Sequence, residues 1–573
     1  MRISTVVVVS LSVIVPCIAD VLVVESDGSG QYPTIQAAID AAYNEDVIEV
    51  KPGTYIGEGN RDIHFDGKAI TVRSIDPNDP HIVAATIIDC GGTESAPHRG
   101  FDFWHNETSH SVLAGLTIRN GYTESSGGAI RCIEASPTIV HCDIIGNTTG
   151  PDVHGGAGMW CYGSRSVIIG CRFINNVAQG EGVGGGFRGS SGAPYVALTD
   201  CVFIGNSAYR GGAIHNCDGP LNNCVIVRNK ARYGGGIHSS DGPITNCVIS
   251  GNSGEYTGGL DWCNGPISNC VISGNFATSD GGGGLGWCHT TITNCVIAGN
   301  FAARWGGGIL DSSATIKNCV IVGNRSGDIG GGVAFIGNTQ TMEIVNSIIW
   351  DNDSANGAQV GGANESNLTL GYCDIEGGAT AVYGGTGFTV NWGIGNIDVS
   401  PDFVEPGYWD PNDTPGDMSD DFWVNGDYHL QTEGGRWDGV LLLWVADDRT
   451  SRCIDAGNPG STLAYESEIV PGASASLHNI RVDMGAYGGT TEASIAPRDW
   501  ALQADLTNDG ATNLADFAGL AEDWLRSASE QPGDLDRDGD VDGGDIALLA
   551  ENWLKQTTWA RPAIRSPGDA ASN

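Results

Sequence analysis

Two twelve-residue stretches near the C-terminus, Asp505–Asp516 (DLTNDGATNLAD) and Asp534–Asp545 (DLDRDGDVDGGD), share one arrangement of oxygen-bearing residues. Side-chain oxygens fall at the first, third, fifth, ninth and twelfth positions, and a backbone carbonyl is due at the seventh. Glycine occupies the sixth, where a loop wrapped around a hard cation turns sharply. Calcium is the ion that this grammar suits. In the second loop the ligands would be Asp534, Asp536, Asp538, Asp542 and Asp545, with the Asp540 carbonyl. In the first they would be Asp505, Thr507, Asp509, Asn513 and Asp516, with the Ala511 carbonyl. Thr507 and Asn513 are neutral, so the first loop is expected to bind more weakly. Each loop runs into a helix, FAGLAEDWLRS or IALLAENWLKQ, with Leu520, Trp524, Leu549 and Trp553 expected on the packing side.

A second set of chemically capable residues is spread over a repeat. Arg188, His215, His238 and Asp261 each follow an apolar residue, Phe187, Ile214, Ile237 or Leu260, at the start of successive repeat units. Carboxyl and imidazole groups move protons, and a guanidinium holds anions. If the units stack as strands about 4.8 Å apart, the four form an outward row suited to an extended sugar chain. The alternative is a solvated polar face. Trp262 and Trp287 flank this row, and strand alternation places them toward the core.

The repeat that must position this row is explicit. GGAIHNCDGPLNNCVIVRN, GGGIHSSDGPITNCVISGN, TGGLDWCNGPISNCVISGN, GGGLGWCHTTITNCVIAGN and GGGILDSSATIKNCVIVGN follow one another. Cys224, Cys247 and Cys270 lie 23 residues apart, and Cys295 and Cys319 follow after 25 and 24. Short β-branched runs broken by Gly and Asn, without a helical period, read as about three strands per unit joined by tight turns. One unit is too small to bury a core, and stacked units share one. Asn recurs at 223, 246, 269, 294 and 318, and again at 229, 252, 275, 300 and 324, which predicts two asparagine ladders at two corners. The cysteine column is expected to be a stacked interior row. Cys217, Cys263 and Cys288, seven residues before column members, leave a bridge within those units open.

These units resemble the right-handed parallel β-helix of the pectate-lyase-like superfamily, and also the GGAI and FxxN repeats of polymorphic outer-membrane proteins. The segment DGSGQYPTIQAAIDAAYNEDVIEVKPGTY adds to the resemblance, with a helix predicted over 33–42 and a strand over Val47–Val50. In this superfamily such a helix closes the first coil. From Gly393 the text GIGNIDVSPDFV, SRCIDAGNPGS and NIRVDMGAYGGTTEAS resembles the terminal segment of exported bacterial β-helix proteins, implying final coils and a cap. The duplicated loop–helix units, 29 residues apart, resemble a type I dockerin module. That resemblance implies Ca2+ binding and a cohesin-like protein partner, typically tying polysaccharide-degrading proteins to a scaffold. Positions ten and eleven of the loops depart from the familiar recognition residues, being Leu514-Ala515 and Gly543-Gly544.

The expected fold is therefore all-β, a right-handed parallel β-helix solenoid with an N-terminal helical cap and a small α-helical calcium-binding dockerin-like domain. The boundaries read as signal peptide 1–19, β-helix 20–495 (core repeats about 111–380, cap about 391–495), linker 496–504, dockerin-like module 505–556 and tail 557–573. The leader has Arg2, an apolar run Val6–Val15 and Cys17-Ile18-Ala19 before Asp20; Pro16 speaks against a lipid-modified Cys17. Secretion or cell-surface display follows, with no transmembrane segment once the leader is removed.

The balance of 68 acidic against 28 basic residues, a net charge of −40, excludes nucleic acid as a natural partner and favours divalent cations. The acidic stretch Asp410–Asp421 reads as a surface loop. The superfamily resemblance implies polysaccharide as partner and, for an enzyme, a polysaccharide lyase or an O-glycosyl hydrolase. Its local catalytic signatures (NTDG with a second Asp pair, RIK, LGRPW) are missing from the sequence. A non-catalytic adhesive or structural surface protein is the competing reading.

Overall fold

The computed structural model describes residues 19–124, 126–151, 155–192, 195–337, 340–413, 421–467 and 479–560. The leader including Cys17, residues 414–420 of the acidic stretch, and residues 561–573 of the tail lie outside the described residues.

Successive repeat units each contribute one strand to each of three long parallel sheets. A first face has 15 strands, a second 13 and a third 12. In one unit, Ile237–His238 lies on the third face, Ile244–Thr245 on the first and Val248–Ser250 on the second. The next unit repeats them in register, Ile237 against Leu260, Ile244 against Ile267 and Val248 against Val271. Alternation turns Ile237, Ile244 and Ile249 inward, where all three are fully buried in one continuous core. The outcome is the parallel β-solenoid that the repeat predicts.

The two asparagine columns do different work. Asn147, Asn176, Asn206, Asn229, Asn252, Asn275, Asn300, Asn324 and Asn352 are buried. Each amide from Asn147 to Asn324 donates to the next one's Oδ1 at 2.9–3.0 Å. The same Oδ1 also accepts the backbone N–H of the unit before, as Asn275 does from Asn252 at 3.0 Å. This is a ladder. The other column, Asn223, Asn246, Asn269, Asn294 and Asn318, is a row of left-handed corners with φ between 50° and 55°. These amides do not chain to one another: Asn223 reaches Asp200, while Asn294 and Asn318 donate to the Gly488 carbonyl. Asn is there because it tolerates that backbone.

All sixteen described cysteines are buried free thiols, so the bridge left open at Cys217, Cys263 and Cys288 is not formed. The column instead stacks sulfur on backbone: the N–H groups of Cys224, Cys247 and Cys270 each donate to the next unit's Sγ at 3.4 Å.

A short helix, Ile35–Ala41, closes the N-terminal end, with Thr34 Oγ1 accepting from the Ala37 N–H and with Ile35, Ala38 and Ile39 buried against the core. Among the described residues no helix is long and apolar enough to cross a membrane. The segment after the last first-face strand, Thr389–Trp392, folds back along the second face rather than only continuing the stack. Trp423 lies over the glycine corner, where a Cβ on Gly299 or Gly323 would come within 1.9 or 2.1 Å of its ring. Phe403, Tyr428, Ile454 and Met484 cover Val296, Val320 and Ile348, which point outward from the second face.

This folded-back segment buries carboxyl groups. Burial pushes Asp374 up to about 7 and Glu466 up to about 8. Both acids therefore hold a proton in the folded state that the unfolded chain releases above pH about 4. Their contribution to stability is complete below that pH and is lost as pH rises through about 7 to 8. The expected result is a higher denaturant midpoint for this segment at pH 5 than at pH 9, read by tryptophan fluorescence. A flat or rising midpoint would show these acids to be ionised in the fold.

Candidate functional site

The register places the four outward candidates in one row. Arg188 pairs with His215, His215 with His238, His238 with Asp261, and Asp261 with Gly286. Sequence spacing alone located them. Their exposure differs from expectation: His215 is 7% exposed, His238 8% and Asp261 0%. A row read as solvated is buried, and the ring of Tyr233, from the turn before the strand, meets His238.

The imidazoles of His215 and His238 stand 5.2 Å apart, and His238 Nε2 is 3.5 Å from Asp261 Oδ2. Thr257 Oγ1 donates to Asp261 Oδ1 at 2.9 Å, and Ser239 Oγ lies 2.7 Å from His238 Nδ1. Asp261 Oδ2 and His215 Nδ1 have no hydrogen-bond partner although both are buried. Burial pushes Asp261 up to about 7 against the pull of Thr257 and Arg210. Burial, reinforced by Arg210, lowers His238 to about 4. Burial, with His238, Arg188 and Arg210 around it, holds His215 well below the usual imidazole range. Between those limits the His238–Asp261 contact joins a neutral imidazole to a protonated carboxyl.

Aromatic side chains flank the row on both sides. Before the strand, Tyr233 and Tyr256 stack at 4.7 Å, Tyr209 lies 5.7 Å from Tyr233, and the edge of Tyr233 meets His238. Arg232 ties this ledge together, donating to the Tyr209 hydroxyl and pairing with Glu255. After the strand, Trp262 and Trp287 lie nearly parallel, 6.5 Å apart at 16°. Alternation would have placed both in the core. Their residues instead take left-handed corners, φ 54° and 51°, which turn the indoles outward and leave Trp262 48% exposed. A side chain in a left-handed corner escapes the strand's alternation, which is why the pattern misplaced them.

The tail loops fold as the sequence predicts locally. Helices Leu514–Asp523 and Gly543–Asn552 each begin with a capping box, Asn513 with Asp516 and Asp542 with Asp545. Gly510 and Gly539, at the sixth positions, have φ of 88° and 99°. Carboxylate oxygens of Asp534, Asp536 and Asp538 converge within 4.8 Å of one another, the one such group among the described residues. In the first loop the Thr507 hydroxyl donates to Asp516 Oδ1 at 2.9 Å, and Asp505 Oδ2 accepts from the Gly510 N–H. Asp509 accepts from Ala511 and Asn513, and both Asp540 and Ala511 sit at the seventh positions. The second loop thus brings together three carboxylates that could hold a metal ion, and among the described residues the first loop forms no such group. Leu520 and Leu549 pack inward as expected, whereas Trp524 and Trp553 remain 40% exposed beyond the helix ends.

No family model matches the chain, and no curated protein matches it. Among solved structures the chain is similar to that described as pectate lyase Pel9A, at 15% identity and a TM-score of 0.32, over 82% of this chain and 96% of that one.

Proposed function

We propose that this is an exported, polysaccharide-associated β-helix protein whose third face binds a glycan chain and whose tail loops bind calcium. The observation that carries the reading is the pair of aromatic ledges flanking an in-register polar row. Sugar rings stack on aromatic faces while their hydroxyls seek polar side chains, and Trp262 and Trp287 repeat along the solenoid axis as an extended chain would require. A catalytic version, lyase or glycoside hydrolase, would use the His238–Asp261 pair for proton transfer. An adhesive or structural surface protein would use the same face without turnover.

Incubation with acidic and neutral polysaccharides, with and without calcium, discriminates these versions. Unsaturated product ends mark a lyase, new reducing ends a hydrolase, and retention without products a binding protein. Trp262→Ala is expected to weaken retention roughly tenfold, the equivalent of about 1.4 kcal/mol of stacking. Unchanged retention would remove the ledge from the site.

In the tail, Asp534, Asp536, Asp538, Asp542 and Asp545 with the Asp540 carbonyl would hold one Ca2+. Asp505, Thr507, Asp509, Asn513 and Asp516 with the Ala511 carbonyl would hold a second more weakly. The ion would supply positive charge that lets the converging carboxylates stay ionised. Isothermal titration with calcium is expected to show two events, the tighter one abolished by Asp534→Asn with Asp538→Asn. A cohesin-like partner would meet the exposed Leu514, Phe517 and Ile546.

A further inference from the structure

The fourth residue of each tail loop points away from the loop's centre and into the solenoid's folded-back segment. Asn508 Nδ2 donates to the carbonyls of Gly395 at 2.8 Å and Ala456 at 2.7 Å. Arg537, its counterpart in the second loop, donates from Nε to the Pro459 carbonyl at 2.9 Å and from Nη2 to the Ile480 carbonyl at 2.7 Å. Both residues take the left-handed backbone, φ 57° and 60°. The solenoid reaches back in the same way. Arg481, fully buried, donates to the Asp505 carbonyl at 2.7 Å, at the first position of the first loop. Gln503 Nε2 bridges the Pro459 and Leu535 carbonyls, Lys317 pairs with Glu530, and Gly460 is so close that a Cβ would lie 2.0 Å from the Gln531 carbonyl. Residues 496–504, which read as a linker, are held too: Trp500 Nε1 donates to the Ser451 carbonyl and Ala504 is fully buried.

We infer that the tail is a cation-responsive clasp on its own solenoid, with Asn508 and Arg537 as the docking side chains; the inference rests on the calcium reading above. The cation would be held by the residues on either side of each docking residue, Thr507 and Asp509 around Asn508, Asp536 and Asp538 around Arg537. Fixing both neighbours fixes the left-handed turn between them, and with it the direction of the docking side chain. Removing the cation leaves the Asp534, Asp536 and Asp538 carboxylates converging without compensation, and the turn relaxes by separating them. Coupling of this kind is reciprocal: docking must tighten calcium binding by the same factor that calcium tightens docking.

The test uses the full mature chain, with calcium affinity from isothermal titration and hydrogen exchange read over 451–460 and 479–496. Chelation is expected to speed exchange in both windows and to leave exchange in the coils around Asn206 and Asn229 unchanged. Asn508→Ala with Arg537→Ala should keep two calcium events, weakened roughly fivefold, while exchange in the windows stops responding to calcium. Calcium binding without any exchange response in the unsubstituted chain overturns the clasp and spares the calcium reading. The same holds if the double variant responds as the unsubstituted chain does. No calcium event at all overturns both.

Discussion

Asn275→Leu is expected to lower the solenoid's stability by about 2–6 kcal/mol, whereas Asn246→Leu, one turn of chain away, should cost only about 1 kcal/mol. The two positions carry the same amide and recur with the same period. Asn275 is buried, and its Oδ1 accepts both the backbone N–H and the side-chain amide of Asn252, while its Nδ2 donates to the Ile249 carbonyl at 2.9 Å. Leucine fills the space and leaves the Asn252 backbone N–H and one side-chain N–H of Asn252 buried without acceptors. Each such group costs about 1–3 kcal/mol. Asn246 is exposed and serves through its left-handed backbone, φ 55°, so leucine there pays only the steric cost of that conformation. Urea denaturation followed by tryptophan fluorescence reads both. Because each unit touches only its neighbours, limited proteolysis should show Asn275→Leu opening the units from Asn252 to Asn300 first. Equal costs at the two sites would refute the division between ladder and corner.

That contrast marks what could be read from the chain and what could not. The repeat of Cys-Val-Ile with flanking asparagines points to stacked parallel strands, because one short unit cannot bury a core and in-register copies share one. It does not distinguish an amide that bonds its neighbour from an amide that merely tolerates a corner, since both need the same residue at the same period. The outward row was legible for a similar reason. Period plus alternation puts Arg188, His215, His238 and Asp261 in register. Its burial was not legible, because the Tyr233 ring that meets His238 comes from a turn, nor was the outward placing of Trp262, which a left-handed corner takes out of alternation.

The folded-back segment did leave a trace in the repeat. The outward positions of second-face strands are Val and Ser at Val248–Ser250 and Val271–Ser273, but they become Val and Ala at Val296–Ala298, Val twice at Val320–Val322, and Ile and Trp at Ile348–Trp350. A strand apolar on both faces needs cover on both, and the segment from Phe403 to Ala496 supplies it. In the tail, the loop glycines and the helices that follow them were legible from the sequence. The docking of the loops was not, since Asn508 and Arg537 share no chemistry beyond donating hydrogen bonds.

Arg481 joins that segment to the tail, and Arg481→Met is expected to destabilise the pair by about 3–5 kcal/mol. The side chain is among the largest fully buried ones in the protein. Its guanidinium donates to the carbonyls of Gly457 at 2.9 Å, Ala456 at 3.2 Å and Asp505 at 2.7 Å, and stands 5.6 Å from the centre of the Tyr372 ring. Methionine conserves much of the volume and removes every donor, so the loss reads out hydrogen bonding and charge rather than a cavity. Arg481 also pulls down the neighbouring Asp455, which burial raises to about 7, so its removal drives that carboxyl further toward the protonated form. Arg481→Lys separates the two contributions. Lysine keeps the charge but lacks the planar fork, and cannot span carbonyls on both sides of the junction. If hydrogen bonding to the junction dominates, the lysine variant falls close to methionine; if charge compensation of Asp455 dominates, it falls close to the unsubstituted chain. In the methionine variant the opened junction should loosen the folded-back segment, so that Val296, Val320 and Ile348, which Ile454 and Met484 cover, become accessible to a hydrophobic dye while units around Asn206 and Asn229 keep their exchange protection. A methionine variant with unchanged denaturant midpoint and no dye binding would show that the junction is held by its apolar contacts alone.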